Sequence, residues 1–162
     1  MKDKLNLGCG RDIRKDFINV DFEKFSGVDV IHDLNKIPYP FKKESFNYIL
    51  MRSILEHLDN PHKVLKEIHR ISKPDAIVHI RTPHFSSNNV WSDIQHKRGY
   101  GLATFLNKPT SDLFKIISYK IEFSPYRFFI IPLARIAPIF YEKHLAYIFP
   151  ATDLVVELKV KK

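Results

Sequence analysis

Three short, largely apolar runs, each closed by glycine or aspartate, constrain this chain more than any other feature. Leu5 to Leu7 runs into Gly8-Cys9-Gly10, Phe17 to Val20 ends at Asp21, and Val28 to Ile31 ends at His32-Asp33-Leu34. Brief apolar runs bounded by turn formers read as buried strands. Glycines directly after a strand let the backbone turn sharply and approach a ligand with no Cβ in the way. A carboxylate at the carboxyl end of the second strand takes both ribose hydroxyls as charge-assisted hydrogen bonds, and Asp33 is in reach of an exocyclic amine. Ligands of open α/β sheets bind off the carboxyl ends of the strands. The pattern predicts a nucleoside site over Gly8, Gly10, Asp21 and Asp33.

Phosphate-bearing ligands fit this pattern less well. A nicotinamide dinucleotide fingerprint wants a third glycine where Ile13 stands, and a ribose acid about 20 residues on; Asp21 follows Gly10 by only 11. The Gly-Lys-Ser/Thr of a P-loop is missing. Ribose and adenine without pyrophosphate is the better match.

Further along, Phe46 to Met51 reads as a fourth strand. Asn60 is a candidate helix cap with Pro61 at the first helical position. Val64, Leu65, Ile68 and Ile71 then recur at helical spacing, with Lys63 and Glu67 paired on the exposed face and the helix stopping before Pro74. Ala76 to Arg81 is a fifth strand ending at Thr82-Pro83-His84. Residues 85–107 read as a long functional loop with at most short helices. Ser111 to Ser118 is predicted as a short helix, Tyr119 to Phe123 as a sixth strand and Leu154 to Val160 as a seventh.

A chain of 162 residues suits one domain. Its 44% apolar and 13% aromatic content is that of a globular protein. One cysteine rules out a disulfide framework, and the strand beginning near Lys4 leaves no room for a signal peptide, so a cytoplasmic location is expected. Residues 1–60 hold 10 Lys/Arg and 10 Asp/Glu, so the whole net charge of +8 lies in residues 61–162. A neutral first half and a basic second half favour acidic partners: a phosphorylated or carboxylated metabolite, RNA or an anionic lipid surface.

Taken in order, these landmarks resemble the class I S-adenosylmethionine-dependent methyltransferases, of the type 11 kind. Leu5 to Gly10 is similar to their glycine-rich first motif, Asp21 to their ribose acid and Asp33-Leu34 to their adenine-side pair. Pro38-Tyr39-Pro40-Phe41 with Ser45-Phe46-Asn47-Tyr48-Ile49, then Ile54-Leu55-Glu56-His57-Leu58, then Ile71-Ser72-Lys73-Pro74 resemble three later family segments. Asn6 stands where the family usually has an acid, Asp12 where it has a third glycine, and Asn47 where it has Asp.

The resemblance implies a Rossmann-like α/β fold: a mostly parallel seven-stranded sheet, with a shortened first helix and a helical insert before the last strand. It also implies S-adenosylmethionine held by Asn6, Gly8, Cys9, Gly10, Asp21, Phe22, Asp33, Leu34, Met51 and Arg52. Residues 1–83 would form the cofactor half and 84–162 the substrate and lid half.

Methyl transfer from a sulfonium needs in-line positioning and sometimes a base. His84, directly after the fifth strand, and Asp93 and His96 in the loop are the catalytic candidates, with Lys97 and Arg98 holding an anionic group. His84, Asp93 and His96 also make a two-His-one-carboxylate set, but nothing in their spacing fixes its geometry, so no metal is expected. The leading function is a methyltransferase acting on an anionic small molecule or a glycan or lipid precursor. An RNA-modifying methyltransferase and a non-catalytic binding protein of the same fold stay open.

Residues 126–150 carry seven of the 21 aromatics, with Arg127, Arg135 and Lys143 among them. Their longest charge-free run, Phe128 to Ala134, is far short of the ~20 residues that span a bilayer. A lid over the acceptor pocket, a homodimer surface and a peripheral membrane contact are the three readings of this piece.

Overall fold

The computed structural model describes residues 2–162. Seven strands form one sheet: β1 (Lys4–Leu7), β2 (Ile18–Asp21), β3 (Val30–Ile31), β4 (Phe46–Arg52), β5 (Ser72–Pro83), β6 (Phe114–Ile121) and β7 (Asp153–Val160). Their order is β3-β2-β1-β4-β5-β7-β6. Neighbours from β3 to β5 pair in parallel, while β7 runs antiparallel to both β5 and β6. The chain steps outward from β1 to β3, then returns to place β4 on the other side of β1. A sheet whose order reverses in this way opens a crevice at the carboxyl ends of the two central strands. The Rossmann-like, mostly parallel sheet expected from the sequence is the one observed.

Helix α1 (Pro61–Ile71) shows why the sequence folds as it does locally. The Asn60 side-chain oxygen accepts from the Lys63 N–H at 3.0 Å, and Pro61 occupies the first turn, where no N–H is needed. Val64, Leu65, Ile68 and Ile71 are buried against the sheet beside Ile49, Met51, Val78 and Ile80. Glu67 departs from its expected exposed pairing with Lys63. It is buried beneath residues 39–41, where it accepts from the Tyr39 N–H at 2.6 Å and from Arg70 at 2.6 and 2.9 Å.

No helix, shortened or otherwise, joins β1 to β2; residues 8–17 form turns. Their backbone is tied down by side chains instead. Asn6 donates to the Asp12 carbonyl at 2.8 Å and to Asn19 Oδ1 at 3.1 Å. Asn19 Oδ1 also accepts from the Arg14 N–H at 3.0 Å, and its amide donates to the Arg14 carbonyl at 3.0 Å. Two asparagines on adjacent strands thus do the pairing that a helix would do within itself.

The 85–107 loop contains the short helices α2 (Asn89–Ser92) and α3 (Leu102–Leu106). After α4 (Thr110–Leu113), β6 starts at Phe114, several residues before the strand expected at Tyr119. Pairing with β7 from Phe114↔Val160 onward overrides the helical spacing of Leu113, Phe114 and Ile117. Between β6 and β7 lie a 3-10 segment (Pro125–Ile130), α5 (Ile131–Ile136) and α6 (Pro138–His144). Among the described residues no helix is long and apolar enough to cross a membrane.

Candidate functional site

A cleft of about 460 Å³ opens at the switch point, within the usual range for small-ligand sites. The carboxyl ends of β1, β2 and β3 and the turn after β4 supply its walls: Gly8, Gly10, Asp21, Phe22, Asp33, Leu34, Ser53 and Ile54 among them. Asp21, Glu23 and Asp33 all line it, whereas among the described residues no lysine or arginine does. Lys36 stands 3.9 Å from Asp33, and the carboxylates of the lining favour a cationic ligand over a phosphate.

Asp21 is held ready rather than free. One carboxylate oxygen accepts from the Gly10 N–H at 2.7 Å and the other from the Glu23 N–H at 3.1 Å. Each oxygen has a second lone pair to offer. Gly10, at φ +49°, makes the left-handed turn that aims its N–H at Asp21, and a Cβ built there would meet nothing within 4 Å, so this backbone faces open space. Gly8 differs: at φ +65° its Cβ would stand 2.5 Å from Ile54 Cγ1. Gly8 is therefore what lets the turn after β4 close against β1. Asp33 accepts from the Asn35 N–H at 3.0 Å, and the exposed Phe22 ring stands beside Asp21 at the cleft.

Four expected cofactor residues lie outside the cleft lining. Asn6 is buried in the polar network beneath the glycine turn, and Met51 is wholly enclosed in the core. Cys9 is buried as well, with its thiol pushed up to about 11, first by burial and then by Asp21, so it stays neutral. Arg52 reaches across to Asp12 at 3.2 Å, which Arg14 also holds at 3.0 Å. The Asp12 that replaces a glycine is thus the anchor that ties the turn to β4. Ser53, Ile54, Asn35 and Phe25 line the cleft without having been expected. Ser53 carried a signal only in its backbone, at φ +51°, which residue type does not reveal.

The catalytic candidates separate. His84 has no solvent exposure: Nδ1 lies 2.8 Å from Ser86 Oγ, Nε2 lies 3.4 Å from Glu142 Oε1, and the ring packs on Phe85. Glu142 in turn accepts from the Leu102 N–H at 2.6 Å. This knot joins the loop to α3 and α6, away from the cleft lining. The structure thus places His84 in a sealed contact outside the cleft lining, apart from His96.

His96 lies instead against the cleft wall. Its ring centroid is 4.7 Å from that of His57, which lines the cleft together with Gln95. His96 Nε2 is 3.7 Å from Asp93 Oδ2 and 4.0 Å from Glu56 Oε1. Glu56 belongs to the 3-10 turn Leu55–His57 after β4 and is fully buried. Its Oε2 accepts from the Thr82 hydroxyl at 3.0 Å, and burial pushes its carboxyl up. His57 is pushed down, first by burial and then by the neighbouring His96.

Lys97 and Arg98 both lean on Asp59, Lys97 through its ammonium to the carboxylate and Arg98 to the carbonyl at 3.2 Å. Neither lines the cleft. Residues 126–150 do not line it either. Tyr141 is buried, its hydroxyl donating to the Phe149 carbonyl at 2.8 Å, while Phe128, Phe129 and Phe140 stay exposed. α5 walls a separate 690 Å³ groove beside β6.

Residues 2–119 match a family model described as a methyltransferase domain. No curated protein sequence matches the chain. Among solved structures, it is similar to an S-adenosylmethionine-dependent methyltransferase of Archaeoglobus fulgidus, with 17% identity, 96% of this chain and 85% of that one covered, and a TM-score of 0.70. Another from Mesorhizobium loti has 15% identity, coverage of 96% and 89%, and a TM-score of 0.65. The [4+2]-cyclase SpnF also superposes, at 14% identity, 98% and 74% coverage and a TM-score of 0.64.

Proposed function

Because this chain belongs to the methyltransferase-domain family, we propose that it is an S-adenosylmethionine-dependent methyltransferase whose cofactor occupies the acidic cleft at the switch point. The observation that carries this reading is the lining itself: three carboxylates and, among the described residues, no lysine or arginine. A ligand with ribose and a sulfonium gains there, and one with phosphates loses. The likeness to a cyclase shows that the sheet alone does not dictate the reaction. The family and the cleft together carry the assignment.

The cofactor supplies an electrophilic methyl group. The chain supplies the rest. Asp21, fixed by two backbone N–H groups, presents its remaining lone pairs to the ribose hydroxyls. Asp33 takes the exocyclic amine, with Leu34 and Phe22 flanking the base. The Gly8 turn keeps Ile54 close and so sets the width of the cleft. Preorganised groups of this kind cost no reorganisation when the ligand arrives.

The acceptor enters beside His57 and Gln95, where His96 and Asp93 handle it. The basic second half, with 16 Lys/Arg against 8 Asp/Glu in residues 61–162, favours an anionic small molecule or a glycan or lipid precursor. Incubating the protein with methyl-labelled cofactor and fractionated cell extract tests both parts. Label should appear in an anionic, low-mass fraction. Label confined to RNA would replace the acceptor class, and failure to bind the cofactor by calorimetry would overturn the reading.

A further inference from the structure

We infer that Glu56, His57 and His96 form a site for a first-row divalent transition-metal cation on the wall of the cleft. One ligating atom from each lies within 4.8 Å of the others. Bonds of about 2.0–2.2 Å place neighbouring ligands roughly 3–3.5 Å apart, so side-chain rotations on the order of 1 Å complete the set.

Two independent features aim at that point. Glu56 Oε1 is fully buried and makes no hydrogen bond, although the same carboxylate's Oε2 is satisfied by Thr82. A buried carboxylate oxygen without a partner is costly and needs a positive neighbour. The second feature is the tautomer of His96. Its Nδ1 lies 2.8 Å from the Asn89 carbonyl, which can only accept, so that nitrogen carries the hydrogen. In the neutral imidazole, the form that binds a metal, Nε2 then presents its lone pair between Glu56 Oε1 at 4.0 Å and Asp93 Oδ2 at 3.7 Å. Two carboxylates and the His96 imidazole thus converge on one point. An imidazole whose other nitrogen donates to a carbonyl is also how metal-bound histidines are oriented.

The scaffold holds these groups in place. The Lys97 N–H donates to the Glu56 carbonyl at 2.9 Å, tying the His96 loop to the 3-10 turn that carries Glu56 and His57. Two imidazoles with one carboxylate suit zinc, manganese, iron, cobalt or nickel better than magnesium or calcium. Asp93 is placed to serve as a fourth ligand or to leave that position to a substrate. His57 lines the cleft, so the site borders it. On the proposed reading of that cleft, the cation holds two adjacent oxygens of the acceptor, such as a vicinal diol or a hydroxyl beside a carboxylate, and His96 acts on the acceptor through the metal.

The test uses Co²⁺ and Zn²⁺ alone, titrated into the full chain after chelation and desalting. Co²⁺ should bring up a visible absorption band that saturates near one equivalent and is displaced by Zn²⁺. His96→Ala and Glu56→Gln should each weaken binding at least about tenfold, while His96→Ala keeps the S-adenosylhomocysteine affinity of the parent, which shows that the fold and cleft are intact. His96→Gln serves as a second loop variant. Absence of the band, or Zn²⁺ affinity unchanged in both His96 variants, overturns the site. Co²⁺ binding without S-adenosylhomocysteine binding would leave the metal site standing and remove the cofactor reading; the reverse result would do the opposite.

Discussion

Replacing Asp21 separates the ligand-binding role of its carboxylate from its structural one. In the structure each oxygen already accepts one backbone N–H, from Gly10 at 2.7 Å and from Glu23 at 3.1 Å. Asp21→Ala removes both acceptors, but Glu23 is exposed and Gly10 partly so, and water can reach their N–H groups. The cost to folding is therefore about 1 kcal/mol, a fall of roughly 2–4 °C in Tm for a chain of this size. Hydrogen bonds from ribose to a charged acceptor are worth about 1.5–3 kcal/mol, so affinity for S-adenosylhomocysteine should fall roughly ten- to a hundred-fold. Asp21→Asn is the sharper variant. Its amide must turn an NH₂ toward one of the two N–H donors, so an acceptor becomes a clashing donor. Asn should rescue little of what Ala loses. Calorimetry and thermal unfolding on the same samples decide the matter. If Asp21→Asn binds within about twofold of the parent, the ribose is not held by this charge and the cofactor pose is wrong.

His96→Ala should lower turnover on the true acceptor while leaving cofactor affinity unchanged, whereas His84→Ala should keep turnover and lose about 1–3 kcal/mol of stability; the opposite pattern in a kinetic and melting comparison would return the acceptor role to His84. Gly8→Ala must accommodate a methyl 2.5 Å from Ile54 at a positive φ, so it should melt several degrees lower and lose cofactor binding, and an unchanged melt would show that the turn relaxes freely. Glu67 is held below the ordinary carboxylate value of 4.5, chiefly by its bonds from Arg70. Its stabilising contribution is therefore present above pH 4.5 and is lost as the pH falls through the lower folded value. Glu67→Gln should flatten the acid limb of a stability–pH curve, and a variant curve parallel to that of the parent would refute the pairing.

What the sequence made legible was mostly local or lay at strand ends. The Asn60 cap, the apolar stripe of α1 and the placement of Gly8, Gly10, Asp21 and Asp33 are set by neighbours in the chain and by pleat or helix periodicity. The spacing of Glu67 to Lys63 is a sound rule for a bare helix, and this helix is not bare. Residues 39–41 fold over that face and bring Tyr39 N–H to the carboxylate. The missing first helix has the same origin. Asn6 and Asn19 look like ordinary strand residues until β1 and β2 pair, and only then can they hold the turn. Glu56 and His96 meet only once the loop after β5 folds back onto the turn after β4. That long-range contact left no periodic trace.

The strands themselves are unevenly long, and this has a consequence for how the protein binds. On the ligand side, β1, β2 and β3 have four, four and two residues, while β5, β6 and β7 have twelve, eight and eight. Local opening follows the density of buried contacts, so the short-stranded edge is the part that comes apart first. Only the closed fraction of molecules can bind, and apparent affinity is scaled down by that fraction. A ligand seated against Gly10, Asp21 and Asp33 therefore acts as a staple for the short-stranded side of the sheet. Amide exchange should slow along β2 and β3 when it binds and hardly change in β5 and β7. Mutations that merely stiffen the margin, far from any ligand contact, would then tighten binding.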